Sequence, residues 1–359
     1  MKNIPLIILA CITSLAQGQN ENCLQILTTV SGPDPAFAQH FTKQVDVLGV
    51  SIYANNNVTD AKLLHAAGVT AQYLDNDEDG VADNSTIQQT LANGEASLFI
   101  FGSANTTEAD NFFNAVSNFN WIGQDLYDDE IYTSSTFSSN DFDASVEECL
   151  HLVTNGYVQA YPSIWGASTG TTVGNAMDLA RGGQFLTIPN PYPTGAWYTY
   201  DDQTCDYNCM VFEYIYWGLT SILDAQSNRC SSISNEWDAC TPALMQSMDP
   251  ALNQMFIDSQ YHWNTTSVLP DGLYCPSNVG IENIPNKDLE FHLANNILHI
   301  NNPFSETIKI LLFDISGKLI ENKRAEAGLS TLSLAELAKG SYILKMISST
   351  SQKAYKLSY

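Results

Sequence analysis

Three side chains that can bind a metal ion or move a proton lie within five consecutive positions: Glu147, Glu148 and His151. Apolar residues recur around them at helical spacing, which predicts an amphipathic helix. Residues four apart on a helix lie on one face, one turn apart. Glu147 and His151 would therefore present an oxygen and a nitrogen donor side by side, as a divalent metal site requires, with Glu148 beside them as a general base.

The ends of this helix also have sequence signals. Ser145 followed by Glu148 three residues later matches a capping box, in which each residue hydrogen-bonds a backbone N–H at the helix start. Gly156 is typical of a helix stop. We therefore expect a helix that begins near Ser145 and ends near Gly156.

A third ligand must come from another part of the chain, and Glu213 is the best candidate. It is a single carboxylate in an otherwise almost wholly apolar helical stretch that runs from Cys209 to about Gln226. A buried carboxylate is costly unless it is paired, protonated or bound to a metal ion. The sequence therefore predicts that Glu213 joins Glu147 and His151.

The Glu147-Glu148-x-x-His151 segment resembles the zincin helix, with glutamate in place of the first histidine, and Glu213 lies 62 residues after His151, as in gluzincins. The resemblance implies that Glu147, His151 and Glu213 are metal ligands and that Glu148 is the general base. It is limited to these residues, and the metzincin extension is absent. Two carboxylates and one imidazole suit zinc or another divalent transition metal such as iron.

The candidate helix has another interpretation, and the role of His65 is open as well. The helix can be an ordinary solvated one on which Glu147 and His151 merely pair. His65, on an earlier predicted helix that begins at Thr59-Asp60, can be a further ligand, a partner of a ligand, or a buried histidine bonded within the core.

A second candidate metal site follows that earlier helix. Acidic residues alternate from Asp75 to Asp83, with Gly80 at the sixth loop position where a sharp turn is needed. This spacing suits Ca²⁺, which takes six to eight oxygen ligands. Position twelve is Thr86 rather than glutamate, so the loop resembles those of thrombospondin type 3 repeats or dockerins more than a full EF-hand. We expect a structural calcium site formed by Asp75, Asp77, Asp79, the backbone carbonyl of Val81, and Asp83.

The charge of the 359-residue chain divides it into two parts. Residues 19–282 contain four basic and 32 acidic residues, a formal charge of −28, whereas residues 283–359 carry +2. This acidity argues against a nucleic-acid partner, because no basic surface exists to neutralise phosphates. Apolar residues make up 44% of the chain, which argues against disorder, and the sequence contains no uninterrupted apolar stretch long enough for a transmembrane segment.

The N-terminus predicts export. Lys2 precedes an apolar run from Ile4 to Ile12 and then small residues, as in a signal peptide that we expect to span residues 1–18. Export permits disulfides. Seven cysteines follow, so at least one stays unpaired; Cys149, on the candidate helix, is our candidate, and Cys205 with Cys209 and Cys230 with Cys240 can close short loops.

In residues 283–359, apolar and polar residues alternate in short runs that are separated by turn residues. This pattern predicts short strands that form a small β-sandwich. The tail resembles the C-terminal sorting domain of the type IX secretion system in the order of its segments, which are Asn302-Pro303, 310–318, 339–345 and a terminal basic strand. The resemblance implies a bacterium of the Bacteroidetes type, the type IX machinery as a partner, and a secreted or outer-membrane surface-attached product.

The fold class expected for the chain is α+β: a mixed core over residues 19–282, followed by the β-sandwich. The core strands are expected at Val45–Ile52, Leu98–Gly102 and Glu130–Thr133, with the long helices after residue 143. The function expected is a secreted, calcium-stabilised metal-dependent hydrolase, a zincin-like peptidase on extracellular protein. The alternatives are a calcium-dependent surface binding or adhesion protein without catalysis, and a glycoside hydrolase that uses a carboxylate pair on a polysaccharide.

Overall fold

The computed structural model describes residues 23–133, 142–265, 269–276, 290–294, 297–302, 307–314, 318–335, 337–339, 341–347 and 352–358. The fold is α+β, with helices and a sheet in the first part and strands in the second. The chain divides into two compact units, Met1–Cys275 and Pro276–Tyr359. The predicted signal peptide lies outside the described residues.

The first unit contains a four-stranded sheet in the order β1-β2-β3-β4. Strands β1 and β2 form an antiparallel hairpin, and β3 and β4 continue the sheet in parallel. The strands are β1 (Lys43–Val47), β2 (Val50–Ala54), β3 (Ser97–Phe101) and β4 (Gly123–Tyr127).

Two of the predicted core strands were wrong in detail. The expected strand Val45–Ile52 is a hairpin, because Leu48 and Gly49 both have positive φ values, 47° and 92°, as a two-residue hairpin turn requires. The expected strand Glu130–Thr133 is absent. The fourth strand lies earlier, at Gly123–Tyr127, and has a weak apolar signal because only Leu126 in it is fully buried.

Nine helices are described in the first unit: α1 (Ala36–His40), α2 (Asp60–Leu74), α3 (Ser85–Asn93), α4 (Glu108–Ala115), α5 (Ser145–Ala160), α6 (Thr172–Ala180), α7 (Tyr207–Ile222), α8 (Pro242–Met248) and α9 (Pro250–Ile257). Helix α5 packs against α2, α3 and β4 on one side and against α7 on the other. It therefore links the sheet to the helical second half of the unit.

The sheet is covered on both faces. Ile52, Leu98 and Ile100 point into the core that contains α2 and α5, while Tyr53 and Phe99 point into an aromatic cluster with α1 and α4. This is the period-two alternation of strand side chains. Helix α5 thus lies against a rigid layer.

Helix α5 begins at Ser145, as expected, but neither the capping box nor the stop at Gly156 acts as predicted. The N-cap is Ala144, without a side-chain cap, and the Ser145 hydroxyl instead donates to Asp143. The helix continues past Gly156 to Ala160. Gly156 lies inside the helix. A Cβ atom at this position would come within 3.0 Å of Ile87 and Leu91 on α3, so glycine permits the close approach of the two helices.

Three disulfides join cysteines of the described part of the chain, and two of them are the predicted local loops, Cys205–Cys209 and Cys230–Cys240. The third, Cys23–Cys275, joins the two ends of the described part of the first unit. Cys149 is unpaired and buried, as predicted.

The second unit consists of two antiparallel sheets, in the orders β11-β10-β7-β8 and β5-β6-β9, which share one apolar core. The short strands predicted for the tail are present, including the terminal basic strand. The strands are β5 (Glu290–Ala294), β6 (Ile297–Asn302), β7 (Ile308–Asp314), β8 (Leu319–Ala325), β9 (Gly328–Ser333), β10 (Ser341–Ile347) and β11 (Gln352–Ser358). Among the residues described in either unit, no helix is long and apolar enough to cross a membrane.

Candidate metal centre

Helices α5 and α7 bring the three predicted ligands together. Glu147 and His151 lie one turn apart on α5, and Glu213 faces them from α7. Each of the three offers a ligand atom, and these atoms all lie within 4.8 Å of one another. Ligands held by one zinc ion in tetrahedral geometry are about 3.4 Å apart, so small side-chain movements are enough to close the site around an ion.

The His151 ring is held between two carboxylates. Its Nε2 lies 3.9 Å from Glu213 Oε1, and its Nδ1 lies 3.5 Å from Glu148 Oε2. His151 and Glu213 are buried, with 7% and 8% of their surfaces exposed. His151 Nε2 has no hydrogen-bond partner among the described residues, so the atom that faces Glu213 remains available to coordinate a metal ion.

Glu148 lies on the opposite side of the imidazole from Glu213. Its carboxylate accepts a hydrogen bond from Gln124 on β4 and is partly exposed. Carboxylates that contact the second nitrogen of a metal-binding histidine fix the tautomer and the ring orientation. The observed contacts therefore suit an orienting role for Glu148, and Gln124 is a member of the site that no sequence signal pointed to.

The protonation of the three groups is strongly linked. Burial, and then the charge of Glu213, raises the pKa of Glu147 to about 8. Burial also raises the pKa of Glu213. Burial alone would lower the pKa of His151, but the hydrogen bond with Glu148 and the carboxylate charges raise it to about 9. At neutral pH the metal-free site thus holds protons where a cation would bind.

A cavity of about 360 Å³ opens beside the three groups. Glu147 and Glu213 line it, together with residues from the loops on either side of α7, including Tyr200, Arg229 and Glu236. Burial raises the pKa of the Tyr200 hydroxyl, and the charges of Glu213 and Glu147 add to this. Tyr200 therefore keeps its proton, and its hydroxyl hydrogen-bonds the Glu213 carboxylate.

His65 lies elsewhere and does not join this group. Its ring is buried, and Nε2 is 2.7 Å from the carboxylate of Asp143. Asp143 also accepts bonds from the Ser145 hydroxyl and from the backbone N–H of Tyr132. The third interpretation of His65, a buried histidine bonded within the core, is the one observed, and the pair ties α2 to the start of α5.

The acidic loop after α2 groups Asp75, Asp77 and Asp79, with ligand atoms within 4.8 Å of one another. Asp75 is fully buried, and its carboxylate accepts bonds from the backbone N–H groups of Asp79 and Gly80 and from the Tyr274 hydroxyl. These bonds bend the loop around Asp75.

Of the other two predicted calcium ligands, the Asp83 carboxylate accepts the backbone N–H of Asn76 and does not join the group of three. The backbone carbonyl of Val81 stays a prediction. Burial and the charges of Asp79, Asp83 and Asp75 raise the pKa of Asp77. The loop therefore concentrates negative charge that a cation would relieve.

Comparison with known proteins identifies the tail and not the core. Residues 294–358 match the family described as the secretion system C-terminal sorting domain. This supports the predicted type IX secretion tail and implies a secreted protein, a product that is often attached to the outer-membrane surface, and interaction with the type IX machinery. No curated protein matched the chain.

Proposed function

We propose that the first unit is a metal-dependent hydrolase, zincin-like in its ligand helix, that acts on extracellular protein and is stabilised by calcium. The observation that carries the proposal is the convergence of Glu147, His151 and Glu213 from two helices beside a cavity, with His151 Nε2 unpaired among the described residues. A donor set of two carboxylates and one imidazole fits zinc or another divalent transition metal such as iron.

The metal ion would polarise a substrate carbonyl and make a water molecule nucleophilic near neutral pH. The protein's part is to hold the donors in place before the ion arrives. Two of the three donors are buried and all three lie on packed helices, so little reorganisation accompanies binding. Tyr200, whose hydroxyl hydrogen-bonds Glu213, is proposed to orient that ligand.

The general-base role expected for Glu148 stays a prediction. Its carboxylate contacts His151 Nδ1 and is not among the residues that line the cavity, so the geometry favours a positioning role. The two roles have different consequences. Loss of a proton acceptor lowers turnover while metal affinity is kept, whereas loss of an orienting partner weakens metal binding by about 10- to 100-fold.

Neither alternative function gains a specific observation. Carboxylate-pair glycosidases keep their two carboxyl groups about 5–10 Å apart. One oxygen of Glu147 and one of Glu213 lie within 4.8 Å of each other and of a His151 nitrogen, an arrangement of three donors that suits one shared ion. An adhesion protein without catalysis would not need donors that converge beside a cavity.

The test is hydrolysis of fluorescently quenched casein by the mature chain after chelation and reloading with Zn²⁺, Fe²⁺ or Ca²⁺ alone. We expect cleavage with a transition metal and none with Ca²⁺ alone, and loss of cleavage in Glu147→Gln. Glu236→Gln is the matched control, because it makes the same substitution in the same cavity outside the ligand group. Cleavage that survives in Glu147→Gln contradicts the proposal.

A further inference from the structure

One cation lines the cavity without a paired carboxylate. The first unit has four basic residues after the predicted signal peptide. Lys43 and Lys62 form ion pairs with Asp60 and Asp128. Arg229 has no carboxylate within 4.0 Å among the described residues, although it shares the cavity with acidic side chains. Its charge is therefore available to a bound ligand.

The Arg229 guanidinium is held in place. Its central carbon lies 4.2 Å from the centroid of the Phe142 ring, a cation–π contact. The backbone N–H of Arg229 donates to Gln226 O at 3.0 Å, and the next residue is in the Cys230–Cys240 disulfide. Little conformational freedom is left to lose when a ligand binds.

One nitrogen of the Arg229 guanidinium lacks a hydrogen-bond partner among the described residues. Nη1 of Arg229 is buried and has no hydrogen-bond partner among the described residues. A buried charged donor without an acceptor is unfavourable, so an acceptor supplied by a ligand would be favoured. Among common acceptors, a carboxylate matches the planar arrangement of guanidinium N–H groups best.

We propose that Arg229 binds a carboxylate of the substrate and so selects carboxylate-bearing peptides at the metal centre. Only the role of the ligand as a substrate rests on the proposed function, since carboxylate binding in this cavity can be measured without catalysis. The carboxylate is either the C-terminal group of a peptide or an acidic side chain. The net negative charge of the unit repels anions from a distance, so selection depends on this local contact.

The test compares ligands that differ only in the charge of one group. N-benzoylglycine carries an α-carboxylate and the α-amide of N-benzoylglutamate carries only a side-chain carboxylate; each is paired with its fully amidated form. Affinities are measured by calorimetry for the mature chain, with and without Zn²⁺, for the native sequence, Arg229→Gln and Arg229→Lys. Melting temperature and bound zinc are recorded for each protein.

We expect one or both acids to bind the native protein about 10-fold or more tightly than the matching amides, with or without zinc. Arg229→Gln should abolish this preference and Arg229→Lys should reduce it, with bound zinc unchanged. The acid that binds more tightly identifies the source of the carboxylate. If Arg229→Gln does not fold, Arg229→Lys decides.

Two results would overturn the inference: equal binding of acids and amides by the native protein, or a preference that Arg229→Gln retains because the metal ion itself supplies it. Zinc binding without an acid preference contradicts this inference alone. An acid preference that depends on Arg229 in a chain that binds no transition metal contradicts the proposed function alone.

Discussion

Replacing Glu147 by glutamine should stabilise the metal-free protein, and only at high pH. The pKa of this carboxyl in the folded state is about 8, against an ordinary value of 4.5. A group with a raised pKa binds its proton more tightly in the folded state. Its contribution to stability is complete below pH 4.5 and is lost as the pH rises through 8.

The size of the effect follows from the shift. At about 1.4 kcal/mol per pKa unit, a rise from 4.5 to about 8 means that the unprotonated carboxyl would cost the metal-free fold about 5 kcal/mol above pH 8. Glutamine has no proton to lose and so avoids this cost. The raised pKa of His151, about 9, acts in the same direction, since its contribution is lost between pH 6.5 and 9. The substitution also removes the Glu147 charge from His151 and its hydrogen bond with Glu213, so the difference between the two proteins reports Glu147 together with its coupling to these two groups.

The assay is urea unfolding of both proteins at pH 5 and pH 8.5, after removal of metals. We expect free energies of unfolding within about 1 kcal/mol of each other at pH 5, and a variant more stable by about 4–5 kcal/mol at pH 8.5. A difference that does not change with pH, or one of opposite sign, would refute the reasoning.

Glu108→Gln is a control of opposite sign. Burial raises the pKa of Glu108, but hydrogen bonds from Gly102, Asn55 and Asn57 outweigh it, so the pKa lies below its ordinary value. The native carboxylate therefore stabilises the fold above pH 4.5, and this contribution is lost as the pH falls through the lowered pKa. Glutamine at this position should destabilise the protein at pH 8.5.

Three further predictions concern neighbouring residues. Glu148→Gln should lower turnover with less than 3-fold loss of zinc affinity if Glu148 is the proton acceptor; a loss of about 10- to 100-fold in a zinc titration would mean that it acts by orienting His151. Asp77→Asn should leave the melting temperature in chelator unchanged or slightly higher. It should also reduce the rise in melting temperature that millimolar Ca²⁺ produces; a rise equal to that of the native chain would exclude the loop as the calcium site. Asp143→Asn should reduce the free energy of unfolding by about 2 kcal/mol or more, because an amide has one acceptor oxygen where the two buried carboxylate oxygens accept bonds from His65, Ser145 and Tyr132. Bound zinc should not change; loss of zinc would mean that the His65–Asp143 pair supports the metal centre.

The candidate ligands could be predicted from the sequence because their signals are local or energetic. The spacing of Glu147 and His151 on a helix depends only on helical geometry. Glu213 was detectable because a lone carboxylate in an apolar helix needs a partner. Whether the three side chains meet depends on how helices α5 and α7 pack, which the sequence could suggest but not establish.

Other features depended on contacts between distant segments. Gly156 matched a helix stop, but the local signal was overridden because a neighbouring helix packs against the missing side chain. The signals for Ser145 misled in the same way, since Asp143 competes for its hydroxyl. Arg229 and Gln124 have no motif around them, and only the packed structure brings them to the cavity and to Glu148.

The most direct test of the central claim is the metal content of the mature chain purified without added metal and then titrated with Zn²⁺. We predict one transition-metal ion per chain, lost in His151→Ala and Glu213→Gln and retained in the cavity control Glu236→Gln. If no transition metal binds at stoichiometric concentration, or if binding is unchanged in the His151 and Glu213 variants, the metal centre proposed for helices α5 and α7 is contradicted.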